Sequence, residues 1–115
     1  LAGAAWAYAL WWAAQFFAYP VIARMRQIGE HGVVPDRGSS DPRMNTSTTL
    51  ARWWERLFIA PNHVHYHLEH HVAAGVAPYR LKAMHLMLAQ RGFYQGYDCL
   101  SHGYADVIRR AVKPD

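Results

Sequence analysis

Hydrophobic residues form one long block at the start of this chain and short periodic clusters afterwards. Leu1 to Ala23 contains no charged residue, and Gln15 is its only strongly polar side chain. As a helix rising 1.5 Å per residue, the block would cover about 35 Å, enough for a bilayer core of about 30 Å. Trp6, Tyr8, Trp11, Trp12, Phe16, Phe17 and Tyr19 surround it on all sides, which an amphipathic soluble helix does not need. Its alanine richness leaves a buried soluble helix as the alternative. Arg24 and Arg26 close the block, and positive residues flank the cytoplasmic end of membrane helices. The pattern predicts one transmembrane helix over 1–23, bent near Pro20, and a cytoplasmic helical region over 24–115. A basic leader and a cleavage site are missing, which excludes a signal peptide.

Beyond Ala23 the helix is expected to continue through Ile28 and stop at Gly29 or Gly32, leaving His31 close to the membrane surface. Pro35-Asp36, Arg37-Gly38-Ser39-Ser40 and Asp41-Pro42 are turn material, so Val33 to Ser47 reads as a solvated connector. Thr46, Ser47 or Thr48 can cap a following helix. There Leu50, Trp53, Trp54, Leu57 and Phe58 share one face, with Arg52, Glu55 and Arg56 off it. That face fits either core packing or an interfacial helix. Pro61-Asn62 opens the next helix, with Asn62 as N-cap. Leu81 to Gln90 is another, with Leu81, Met84, His85 and Leu88 on one face and Gly92 as its stop; His85 is read as core or surface, not as a ligand. Ser101 to Val112 is the last, with His102 at its start. No strand-like alternation appears, so the expected fold class is all-α.

The stretch His63-Val64-His65-Tyr66-His67-Leu68-Glu69-His70-His71 holds five histidines in nine residues. On a helix, His67, His70 and His71 point one way, and His63 falls on the same face one turn earlier. His65 and Glu69 point elsewhere. A row of imidazoles is poor core material, because each ring has two nitrogens that need partners. It suits a transition metal, since neutral imidazole binds zinc, copper, iron and nickel. Structural zinc is a rival, although zinc sites usually draw on two segments, Cys99 is the only cysteine, and no His-Glu-x-x-His motif occurs.

Composition changes this picture little. The chain has 115 residues, 52% of them hydrophobic, and a formal charge of +4. Its basic residues are scattered and form no stripe with interleaved aromatics, which argues against nucleic acid; an anionic membrane surface accounts for the sign. One cysteine allows no internal disulfide and fits a reducing compartment. A start at Leu1 inside an apolar run is read as a piece of a longer protein.

The run Pro61-Asn62-His63-Val64-His65-Tyr66-His67-Leu68-Glu69-His70-His71 resembles the third histidine box, H-x-x-H-H, of integral-membrane fatty acid desaturases. Arg26-Gln27-Ile28-Gly29-Glu30-His31-Gly32 is similar to the region after the last membrane helix of bacterial members. Thr48-Thr49-Leu50-Ala51 and Pro78-Tyr79-Arg80-Leu81 extend the likeness on either side of the box. The resemblance implies an all-helical site for two iron ions, with O2 as co-substrate. By position it implies His67, His70 and His71 as iron ligands, His31 as a further ligand, and His63 as a ligand or a support behind one. Asn62 would hold a water near the metal. It also implies a lipid or acyl-chain substrate and an integral membrane protein of the bacterial inner membrane, with the histidine box on the cytoplasmic side. The electron donor would be a ferredoxin or a cytochrome b5-like protein. The expected activity is insertion of a double bond into an acyl chain. A hydroxylase or ketolase of the same superfamily, or a non-catalytic membrane protein with structural zinc, are the alternatives. The first two histidine boxes are absent from these residues, so the piece alone is expected to be inactive, with the missing ligands upstream of Leu1.

Overall fold

The computed structural model describes residues 2–113. Leu1, the first residue of the expected span, and residues 114–115 of the polar tail lie outside them. From Ala2 to Gly32 the chain is an unbroken helical run of unlike pieces. A 3-10 turn (Ala2–Ala4) leads into α1 (Ala5–Ala13), a π-helical turn (Ala14–Ala18), α2 (Tyr19–Gln27) and a second π-helical turn (Ile28–Gly32). Pro20 accounts for the first π turn. It has no N–H to give to the Phe16 carbonyl, and its ring crowds that carbonyl. Widening the preceding turn relieves the conflict, and Tyr19 N–H accordingly bonds to Ala14 O. The expected single span over 1–23 is corrected to this extent: among the described residues, no helix is long and apolar enough to cross a membrane. α1, the first π turn and α2 bury no side chain, and Trp6, Tyr8, Trp11, Trp12, Phe16, Phe17 and Tyr19 are all exposed.

The expected connector carries a short helix, α3 (Pro42–Asn45), capped by the Asp41 carboxylate, which accepts from Arg43 N–H. Next comes the segment around which the rest is packed. Thr46, Ser47, Thr48 and Thr49 are buried, not solvated. Ser47 N–H bonds to Glu30 O, Thr48 N–H to Cys99 O, Thr49 N–H to His65 O and Leu50 N–H to Ser101 O. Within it β1 (Thr48–Thr49) pairs in parallel with β2 (Leu100–Ser101), Thr48 opposite Leu100 and Thr49 opposite Ser101. This strand pair was not expected. Two residues are too few for an alternation to show, yet such a ladder satisfies buried backbone groups.

α4 (Trp53–Phe58) does not pack its apolar face into the core, the first of the two alternatives for it. Trp53, Trp54, Leu57 and Phe58 are exposed, and Glu55 is fully buried. The reason is the polar partners that Glu55 finds. Its carboxylate accepts from Arg52 N–H at 2.6 Å and from Tyr104 N–H at 2.8 Å, the first turn of α7 (Tyr104–Val112). Gly103 before it has φ +85, and an added Cβ would lie 3.1 Å from both Glu55 carboxylate oxygens. Glycine is needed there for conformation and for space.

Two small apolar clusters complete the interior. One gathers Val33, Ala60, Tyr104 and Val107, with Met25, Ile28 and Ile59 against them. The other gathers Leu68, Tyr94 and Cys99, with Leu88 and Phe93 against them. α6 (Leu81–Gln90) has the expected bounds and ends before Gly92, which is left-handed at φ +74.

Candidate metal centre

The histidine stretch is not one helix. Asn62 and His63 have φ of +54 and +60, and a right-handed helix does not propagate through such residues. The chain turns through 61–65, and α5 spans only His67–Val72. Asn62 is therefore not its N-cap. A cap comes instead from far along the chain: Thr48 Oγ1 accepts from Leu68 N–H at 3.3 Å. The expected capping chemistry of the threonines is present, on a different helix.

This start moves His63 off the shared face. Its ring lies 6.0 Å from that of His65 and 6.2 Å from that of Tyr66. With Asn62 and His65 it lines an open groove walled by Trp53 and Tyr79. His67 and His71 do share a face of α5, and His31 comes to them from the second π turn. His67 Nε2 is 3.0 Å from His31 Nε2 and 3.1 Å from His71 Nε2. Among the described residues, these three are brought together with nitrogen atoms all within 4.8 Å of one another. His70 flanks them, its ring 6.1 Å from those of His67 and His71.

The tautomers favour a cation between them. His31 Nδ1 is 3.2 Å from the Asn45 carbonyl oxygen, which can only accept. That nitrogen carries the proton, and Nε2 presents its lone pair toward His67. His67 Nε2 faces two imidazole nitrogens and cannot satisfy both by protons alone, whereas a single metal ion satisfies all three. Burial, and then the neighbouring His71 and His31, hold the His67 imidazole down to about 4. His71 is lowered too, first by burial and then by His31 and His70. The His67 and His71 rings are thus neutral at neutral pH, the form that binds metal.

Beside this group lies a feature that the histidine pattern did not reveal. Glu69 points away from the shared histidine face, as expected, but what it meets there was not foreseen: it is turned inward and fully buried. Its carboxylate accepts from the Thr48 hydroxyl, from the Tyr94 hydroxyl at 2.5 Å and from His85 Nδ1 at 2.6 Å. Burial pushes the carboxyl up, but the bonds from His85, Thr48 and Tyr94 outweigh it and hold it below the usual range. His85 is indeed no member of the three-histidine group, but it has this specific partner. His65 is buried, and desolvation, then His63, takes its imidazole down to about 4.

Position in the chain and the pairing of a histidine from a π turn with two from a short helix are now joined by a sequence comparison. The model of the family described as fatty acid desaturase matches residues 1–101. The chain belongs to the fatty acid desaturase family. No curated protein and no solved structure matches it. Membership places this chain in a superfamily of desaturases and oxygenases, and the three-histidine group lies within the matched residues.

Proposed function

We propose that this desaturase-family chain supplies part of the iron site of an enzyme that inserts a double bond into the acyl chain of a lipid. The convergence of His31, His67 and His71 Nε2 atoms carries the reading. Iron bound there would supply the O2-dependent chemistry needed to take hydrogen from an unactivated C–H bond, which no side chain can do alone. His31, His67 and His71 would hold one ion as neutral donors, with His70 at its flank. Three imidazoles do not fill the coordination of two ions, so the pair that the family uses requires further ligands, and His63 would need to turn out of its groove to join them. Asn45 O fixes the His31 tautomer.

Membrane association belongs to the same proposal. The exposed aromatics of the helical run and of α4 are suited to lipid contact, where Trp and Tyr favour the interface. Arg24, Arg52 and Arg56 accompany these surfaces and fit anionic headgroups on a cytoplasmic face. The electrons would come from a separate ferredoxin or cytochrome b5-like donor. Metal analysis of the purified full-length protein tests the reading: iron is expected, with loss in His31→Ala, His67→Ala and His71→Ala. Stoichiometric zinc, or iron retained in all three variants, would contradict it.

A further inference from the structure

The Glu69 cluster is not used by the reading above, and it lies directly behind the histidines. Counting 100° per residue, Glu69 is about 200° from His67 and about 160° from His71 around α5, so it faces away from them. Three parts of the chain grip it: Thr48 on β1, His85 on α6, and Tyr94 after α6. Among the described residues, His85 Nδ1 is the one side-chain nitrogen against its carboxylate, and no lysine or arginine pairs with it. Two consequences follow. α5 has six residues, too few to be rigid by itself, so these bonds and buried Leu68 set its rotation. A set of imidazole donors is also neutral, so a bound Fe2+ keeps its full charge. Glu69 would face that charge across one helix diameter, about 10–12 Å, through protein instead of water.

We propose that Glu69, held by Thr48, His85 and Tyr94, is a positioning residue for the metal-facing histidines. It fixes the rotation of α5 and supplies a negative charge that the imidazole set lacks. The proposal rests on the metal reading above.

The test uses the full-length protein in lipid nanodiscs, with Fe2+ as the probe. Glu69→Gln keeps the shape and one accepting oxygen, enough for the bonds from Tyr94 and His85, but removes the charge. It is expected to weaken Fe2+ binding about 10- to 100-fold, the usual effect of altering a group behind the ligands. It is also expected to raise the reduction potential of the bound iron, because the more highly charged oxidised ion loses more. Tyr94→Phe keeps the charge and removes one bond, so a severalfold weaker affinity at an unchanged potential is expected. Glu55→Gln alters an equally buried carboxylate that serves α4 and α7; it is expected to lower heat stability and leave iron affinity and potential unchanged. Wild-type affinity and potential in Glu69→Gln would overturn the proposal, as would equal losses in Glu55→Gln; unchanged affinity in Tyr94→Phe would overturn the fixing of α5. His67→Ala separates the two readings. Loss of Fe2+ in His67→Ala with none in Glu69→Gln overturns this proposal and leaves the metal reading standing. Full binding by His67→Ala overturns both.

Discussion

At the scale of single residues, the decisive feature is the convergence of ring nitrogens from His31, His67 and His71. His67 is central because its Nε2 faces both others. His67→Ala is expected to abolish metal binding, while His102→Ala, at an exposed ring outside the group, is expected to leave it unchanged; metal titration of the full-length protein checks both. Acid should act on the same residue. His67 is lowered from an ordinary 6.5 to about 4, chiefly by burial and then by the neighbouring histidines. Between those values the unfolded chain binds more protons than the folded one, so stability falls as pH drops through that window and is constant with respect to this group above it. The lowered Glu69 carboxyl acts in the same direction at lower pH. Thermal unfolding of the metal-free protein is expected at progressively lower temperature from pH 7 to pH 4; a flat profile would contradict the assignment of a half-buried, neutral His67. The candidate histidines were legible because five in nine residues is a strong signal and His31 lies in a segment that resembles the family. The position of His63 was not legible. Helical periodicity assumes that the helix exists, and two left-handed residues at 62 and 63 break it. Glu69 and His85 were also illegible as a pair, since their contact joins two helices through space.

At the scale of elements, α4 shows how buried hydrogen bonding overrides an apolar stripe. Trp53 is 72% exposed, whereas Glu55 is 0% exposed. Two backbone N–H groups offset the cost of burying the acid, whereas Glu55→Ala would leave the Tyr104 N–H unpaired in the interior. That change is expected to cost about 1–3 kcal/mol in unfolding free energy. Gly103→Ala meets the same carboxylate from the other side and puts alanine at φ +85 and ψ 169, a conformation essentially restricted to glycine, so a loss of about 1–3 kcal/mol is expected from chemical denaturation. The periodicity of α4 was read correctly as one apolar face, but its direction stayed open between core and surface, because a stripe does not say what lies opposite it. α6 was legible to the residue, since its periodicity ends at a glycine that the structure uses as a left-handed stop. β1 and β2 were not, because two-residue strands have no period and their partners are far apart in the chain.

At the scale of the whole molecule, the packed region and the exposed aromatic run divide the work. The packed region sets His31 against α5 through the buried Thr46–Thr49 segment, to which Glu30 and His65 are also bonded. The aromatic run and the outer face of α4 present Trp, Tyr and Phe side chains that nothing in the described residues covers. Replacing Trp53 and Leu57 by serine is expected to weaken association of the full-length protein with anionic vesicles and to leave its Fe2+ affinity unchanged. Vesicle flotation measures the first, and an unaltered partition would contradict an interfacial role for α4. Double-bond insertion itself is tested most directly by mass spectrometry of the fatty acyl chains in cells that express the full-length gene with a ferredoxin-type donor. Wild-type cells are expected to gain a new unsaturated acyl species, and cells carrying His71→Ala are expected to lack it. The same species at equal abundance with His71→Ala, or a hydroxylated product in its place, would contradict the proposed desaturation at these histidines.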